Sequence, residues 1–377
     1  MENVRDNVTG RHKYELDTPC LLIDVGRLRK NLHTMQKSVT LSDKKLRPHA
    51  KTHKCSVIAR MQIETGAVGV CTAKLGEAEV LAERGIEHIL ITGPVVLPLK
   101  ADRLLGLIER CGSLMLVLDS REQALLLSEY CGERDMRVDV LLDVDPGLGR
   151  TGVSASKALE LGRFIMELPN LHVRGIQAYA GQVQHIASYE ERRKKSLENM
   201  QRAQETFRSL CDAGMDGDIF TGAGTGTFDI DTQVEDLTDL QVGSYVFMDA
   251  EYRNIGSALD PRSFTLFEPA LTILTSVVSC NQQGFVTVDA GLKSMYRDGG
   301  KPMVSYPADR EYSFDWFGDE YGKISFSGKM GTLKQGSVFE LIVSHCDPTV
   351  NLFDHFYVIE DDRVVDVWPI DLRGKSA

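Results

Sequence analysis

The chain has 377 residues, with 43 Lys+Arg against 54 Asp+Glu, a formal net charge of -11, 42% hydrophobic and 26% charged residues. That length and apolar content suffice for two domains with a substantial core. The acidic balance argues against a nucleic-acid partner, which would need clustered Lys and Arg to neutralise phosphates. No run of about 18 apolar residues occurs, and the opening MENVRDNVTGRHKYELD lacks an apolar stretch. Neither a membrane span nor a signal peptide is expected, and the expected location is the cytoplasm. Eight cysteines without a CxxC pair read as reduced thiols packed as small hydrophobes.

In chain order, the short run LLID precedes a helix, VGRLRKNLHTMQKSV, and is expected to pack on a later β domain. From residue 46 onward, short apolar or β-branched runs alternate with longer stretches of helical periodicity, the pattern of parallel βα units. The expected strands are LRPHAK (46–51), GVCTA (69–73), ILITG (89–93), LMLVLD (114–119), VDVLLDVD (138–145), VRGIQAY (173–179), DIFTG (218–222) and QVGSYVFMD (241–249). Between most of them lie amphipathic helices such as YEERRKKSLENMQRAQETFRSLCDAG. Eight such strands predict a closed (β/α)8 barrel. An open doubly wound sheet would need a glycine-rich dinucleotide turn after an early strand, and none of the first three supplies it. Beyond Phe264 the runs FTLFEPALTILTSVVS, GFVTVDAG, SVFELIVSH and HFYVIEDDRVVDVWPI are strand-like. The predicted organisation is α/β: a barrel over residues 20–255, then a mostly β domain over 256–377 on which residues 1–24 pack.

Barrel chemistry sits where strands end. RPHAKTHK places Lys51 at the end of the first strand, with His49 on the same face and His53 just beyond. It fits either a basic solvated strand end or a lysine whose pKa is lowered for Schiff-base work. In DVDPGLGRTG, Gly147, Gly149 and Gly152 bracket Arg150, which is either a surface side chain on a flexible turn or a forked donor to an anionic oxygen. AYAGQVQH brings Tyr179, Gln182, Gln184 and His185 after the sixth strand. TGAGTGT after the seventh carries Gly222, Gly224, Thr225, Gly226 and Thr227, a pattern that can expose backbone N–H groups and hydroxyls to a phosphate. In SHCDPTVNLFDH, His345 and Asp347 stand two apart at the end of a strand-like run, so an extended chain would point both to one side and Cys346 to the other. The pair fits either a hydrogen-bonded structural contact or two ligands of a divalent metal.

Together TPCLLID, RPHAKTHK, GVCTAKLGEAE, VDPGLGRTGV, IQAYAGQVQH, GAGTGTF, QVGSYVFMD, VDAGLKS and SHCDPTVNLFD run from about residue 18 almost to the end. In that order they resemble the alanine-racemase-type pyridoxal-phosphate enzymes, and more closely their D-threonine aldolase and D-serine dehydratase branch. The dehydratases carry an HxC metal motif. Here position 347 is Asp, which sides with the aldolases. The resemblance implies that Lys51 holds pyridoxal 5'-phosphate covalently and that Arg150 meets its phenolic oxygen. It implies further that Tyr179 lies near the ring, that Gly222 to Thr227 hold the phosphate, that His185 is a catalytic base and that His345 and Asp347 bind Mn²⁺, with Mg²⁺ or Zn²⁺ as alternatives. Where some relatives have His after the tyrosine, this chain has Ala180. The implied activity is retro-aldol cleavage of a small-molecule D-3-hydroxy-amino acid to glycine and an aldehyde, by a homodimer. Dehydration to a 2-keto acid and ammonia is the nearest alternative, and a cofactor carrier without catalysis the more remote one.

Overall fold

The structure, a computed structural model, describes residues 2–377. The chain forms two compact units, one of residues 35–51, 58–243 and 374–377, the other of residues 1–34, 52–57 and 244–373.

The first unit is a ring of eight parallel strands. Numbered with Cys20–Asp24 as β1, these are β2 (Lys45–Leu46), β3 (Val70–Thr72), β4 (Ile89–Ile91), β5 (Met115–Leu118), β6 (Val138–Asp143), β7 (Leu171–Ala178), β8 (Ile219–Gly222) and β9 (Asp239–Leu240), in the order β2-β9-β8-β7-β6-β5-β4-β3. The two ends of that order meet. Val68 N–H donates to Leu46 O, Cys71 N–H to Pro48 O and Ala50 N–H to Cys71 O, each at 2.8 Å. On its other side the same segment bonds through Arg47 N–H to Leu240 O and His49 N–H to Val242 O. Pro48 has no N–H, so the first strand is regular only at Lys45–Leu46 although its pairing continues to Ala50. Strands buried on both faces read as near-continuous apolar runs. Cys71, Leu90, Met115, Val117, Leu141 and Ile219, from five of these strands, meet in one buried cluster. Among the outer helices, Tyr189–Asp212 starts at Ser188, whose side chain accepts from Glu191 N–H, and buries Ser196, Met200, Ala203, Phe207 and Leu210 at helical spacing.

The second unit is a nine-stranded sheet of β1 and β10 (Leu271–Ser279), β11 (Phe285–Val288), β12 (Met303–Tyr306), β13 (Tyr312–Trp316), β14 (Gly322–Phe326), β15 (Val338–Ile342), β16 (His355–Glu360) and β17 (Arg363–Pro369). β1 pairs antiparallel with β10 and parallel with β16. Leu16, Cys20, Leu22, Leu274, Ile359, Val364 and Val367 form a core cluster, and Val4, Val8 and Tyr14 pack against it. All eight cysteines are free. Among the described residues no helix is long and apolar enough to cross a membrane.

Two expectations need correction here. The eighth barrel strand is Asp239–Leu240, not 241–249, because Ser244–Val246 winds into a 3-10 turn and Met248 takes a φ of 55°. The segment reads as a strand because residues 240–250 are buried throughout, and burial demands apolar residues of coil and strand alike. The divide between units falls at 243/244, ahead of the expected 255/256. Residues 247–251 bond into the β unit: Ala270 N–H donates to Phe247 O, Ala250 N–H to Val343 O and Glu251 N–H to Ser344 O.

Candidate active site

In the barrel unit, Lys51 lies just beyond the paired part of the first strand and Tyr179 just beyond β7. Lys51 Nζ and the Arg150 guanidinium each stand 5.9 Å from the centre of the Tyr179 ring, so three expected site residues converge on one point. The ring packs over Gly181, where a Cβ would meet Tyr179 Cε1 at 2.8 Å.

Lys51 rests on a hydrogen-bonded series inside the ring. Its backbone N–H donates to His49 Nδ1 at 3.3 Å, and His49 Nε2 is 3.1 Å from Thr92 Oγ1, which donates to Thr72 O. With Nδ1 accepting, the neutral imidazole carries its proton on Nε2 and donates it to Thr92. Gln177 Nε2 donates to Thr92 O and to Asp143 Oδ1, each at 3.0 Å, and Gln241 Nε2 donates to Gln177 Oε1 at 3.1 Å. Burial pushes the Asp143 carboxyl up to about 6, against the opposing hydrogen bonds from Gln177 and Thr151.

The Arg150 loop is held from within. Its base is closed by Val153 N–H to Asp143 O and Asp145 N–H to Val153 O. Asp145 Oδ1 accepts from the N–H groups of Gly147, Leu148 and Gly149 at 2.9, 2.7 and 3.1 Å, and all three loop glycines have positive φ. The sequence reading passed over Asp145. Its place two residues before a glycine, in DPG, is an Asx-turn signature that would have found it.

Residues 222–227 are wholly buried. A Cβ on Gly222 would stand 2.1 Å from Ala178 O, and one on Gly224 would stand 2.4 Å from Gln184 Oε1. Between them Ala223 is left-handed at φ 65°, a conformation that costs a non-glycine residue about 1–3 kcal/mol and collects at functional loops. Gln184 braces the loop: Oε1 accepts from Gly226 N–H at 3.1 Å, and Nε2 donates to Thr227 Oγ1 at 3.0 Å and Ala180 O at 3.3 Å. The Thr227 hydroxyl in turn donates to Asp231 Oδ2 at 2.5 Å, which commits its proton inside the loop. Ser196 donates to Asp231 Oδ1, and buried Arg192 donates to Gly226 O at 2.7 Å. Full burial pushes Asp231 up to about 6. Arg192 and Asp231 escaped the sequence reading, Arg192 because it sits in a charged stretch that reads as solvated. His185 follows Gln184 in the turn and is exposed.

In the β unit, the extended-chain picture of His345 and Asp347 does not hold. β15 ends at Ile342, His345 is the N-cap of the short helix Cys346–Val350, and Asp347 lies in its first turn. The two side chains still come together, with Nε2 of His345 4.0 Å from Oδ1 of Asp347. Cys346 is fully buried behind them, and its N–H donates to Asp249 Oδ2 at 3.0 Å. Buried Asp249 also caps the helix Ala250–Arg253 through Tyr252 N–H, and desolvation pushes it up to about 6. Burial lowers the pKa of His345, but Asp347, Asp249 and Asp298 outweigh it and raise the imidazole above its ordinary value. Donors bound at about 2.1 Å to one ion stand about 3.4 Å apart in a tetrahedral shell and about 3.0 Å apart as octahedral neighbours, so this nitrogen and oxygen, at 4.0 Å, would close by about 0.6–1 Å to share a divalent metal. Among the described residues no group of three or more His, Cys, Asp or Glu could hold one, so such an ion would take its other ligands from water or substrate.

Residues 23–251 match the alanine racemase N-terminal domain family, and residues 270–359 match the serine dehydratase domain family. The chain belongs to the alanine racemase N-terminal domain family. Among its members, the chain is 34% identical to the 3-hydroxy-D-aspartate aldolase of Paracoccus denitrificans (strain Pd 1222), over 97% of this chain and 95% of that protein. It resembles the crystal structure of D-threonine aldolase from Filomicrobium marinum with a TM-score of 0.91 and 32% identity, over 98% of each chain. It is 28% identical to the D-threo-3-hydroxyaspartate dehydratase of Delftia sp. (strain HT23), over 76% of this chain and 74% of that protein. The match to the alanine racemase family makes pyridoxal phosphate the expected cofactor. Lys51, Arg150 and Tyr179, gathered just beyond the strand ends, fit that group, whereas the space beside Gly222 and Gly224 is taken by Ala178 and Gln184.

Proposed function

We propose that this protein is a lyase that cleaves D-3-hydroxy-amino acids of the D-threonine type to glycine and an aldehyde, using pyridoxal phosphate and a divalent metal. The observation that carries the reading is the imidazole and carboxylate pair, His345 and Asp347, in a chain whose aldolase relatives match it almost end to end. A thiolate at position 347 would have pointed to the dehydratases, and the neighbouring Cys346 is fully buried.

Lys51 would hold pyridoxal phosphate covalently, Arg150 and Tyr179 would flank it, and residues 222–227 would receive the phosphate. When bound, the cofactor supplies an electron sink for the pair released at Cα, and the metal supplies Lewis acidity toward the 3-hydroxyl. His345 and Asp347 would hold that ion through one nitrogen and one oxygen, a donor set that suits Mn²⁺, with Mg²⁺ or Zn²⁺ as alternatives. His185, on its exposed turn, would accept the proton of the 3-hydroxyl as the Cα–Cβ bond breaks. Cα then takes up a proton, which completes glycine, while the former 3-carbon leaves as the aldehyde. Family resemblance supports a homodimer, and reduced cysteines support a cytoplasmic location.

The test is a panel of D- and L-3-hydroxy-amino acids, with and without added metal, reading glycine, aldehyde, 2-keto acid and ammonia in parallel. Glycine and acetaldehyde from D-threonine are expected, with loss of activity on chelation and recovery with Mn²⁺. A 2-keto acid and ammonia from the same substrate would make the protein a dehydratase.

A further inference from the structure

The pair His345 and Asp347 has a third partner that neither the motif nor the proposed chemistry uses. Asp298 Oδ2 lies 3.1 Å from His345 Nδ1, on the side of the ring away from the nitrogen that approaches Asp347. The contact is built into the fold. Ser344 Oγ donates to Tyr296 O at 2.8 Å and Tyr296 N–H donates to Thr349 Oγ1 at 3.3 Å, which ties the segment before Asp298 to both sides of His345. Trp316 Nε1 donates to Met295 O at 2.9 Å and holds the same segment from its other end. Gly299 follows at φ +74°, a conformation that strains other residues, and a Cβ there would come within 3.0 Å of the Glu251 carboxylate and push it back.

The backbone of His345 is fixed separately, because Asp249 accepts the next N–H in the chain. What remains open is the ring itself, which can rotate about a broad two-fold torsion and carry its proton on either nitrogen. We propose that Asp298 is a positioning residue: by accepting from His345 Nδ1–H it selects the tautomer and ring orientation that turn the Nε2 lone pair toward Asp347. A histidine ligand commonly donates its second N–H to a carboxylate in this way, and loss of such a partner weakens metal affinity about 10- to 100-fold. The inference rests on the reading that His345 and Asp347 hold the ion. Asp298 is more than half exposed, and an exposed ion pair adds little to folding, so its value lies in orientation.

The experiment measures Mn²⁺ binding to chelator-stripped holoenzyme by the loss of the free-ion electron paramagnetic resonance signal. It compares wild type, Asp298→Ala, Asp298→Asn and His345→Ala, each with its melting curve. Asp298→Ala should weaken Mn²⁺ binding by about 10- to 100-fold with melting unchanged. Asp298→Asn, whose amide oxygen still accepts from Nδ1–H, should recover most of the affinity, a rescue that a general loosening of the loop would not produce. If His345→Ala abolishes binding while Asp298→Ala binds as wild type does, the positioning role is wrong and the metal pair stands. If His345→Ala itself binds Mn²⁺ as wild type does, the metal pair is wrong.

Discussion

Gly224→Ala would put a methyl carbon 2.4 Å from Gln184 Oε1 and 2.7 Å from Cδ of the same side chain. The obstacle is the end of a flexible side chain, so Gln184 swings away and the strand ends stay in place. Swinging away breaks its bonds to Gly226 N–H, Thr227 Oγ1 and Ala180 O, three neutral contacts worth about 0.5–1.5 kcal/mol each. The apoprotein should therefore lose about 1.5–4.5 kcal/mol by urea unfolding. On the proposed reading the cofactor phosphate would depend on the same loop through bonds to a charged group, at about 1.5–3 kcal/mol each. Misplacing two of them costs about 3–6 kcal/mol, or roughly a 100- to 20,000-fold weaker Kd. Titrating apoprotein with pyridoxal phosphate by visible absorbance, beside urea unfolding without cofactor, separates the two effects. A Kd within threefold of wild type, alongside the expected loss of stability, would show that residues 222–227 are a plain turn. Gly222→Ala is the contrast, because its Cβ meets a backbone oxygen at 2.1 Å that cannot move aside, and it should damage the barrel itself.

Borohydride reduction of the yellow holoenzyme should fix the cofactor on Lys51, and peptide mass analysis that finds it on Lys54 or Lys293 would overturn the site. His185→Asn should lower turnover of D-threonine by about 100- to 10,000-fold while leaving the cofactor's visible spectrum in place, and near-normal turnover would move the proton acceptor elsewhere. Asp231 titrates near 6 when folded against an ordinary 3.8, so the folded state holds the proton more tightly. Its contribution is most favourable below about pH 4 and is lost as pH rises through about 6, by about 3 kcal/mol in all. Wild-type stability minus that of Asp231→Asn should therefore fall between pH 4 and 6.5 and level off above. A difference that stays constant across that range would mean the carboxylate is solvated.

The order of the barrel strands was legible because each is a short apolar run bounded by turn residues and separated by helical periodicity. The meeting of Lys51, Arg150 and Tyr179 was legible for the same reason: Lys51 and Tyr179 stand just past strand ends and Arg150 in the loop after one, and the structure gathers all three. What escaped were the supports. Asp231 is 35 residues from Ser196, and Asp298 is 47 from His345. No local pattern marks a lone carboxylate whose partner arrives only when the chain folds. The segment 241–249 failed differently, because full burial imposes the apolar composition of a strand on backbone that is coiled.

The first barrel strand joins both ends of the sheet with an interrupted set of bonds, broken at Pro48, and so works as a seam. Staves bonded along their length move together, whereas a seam parts first when the ring breathes. The amides of Val68 and Cys71 cross that seam, and their hydrogen exchange, set beside that of amides elsewhere in the ring, reads whether it opens first. The lysine expected to carry the cofactor lies just past the same line, so the interrupted closure of the ring and that lysine belong to one stretch of six residues, 46–51.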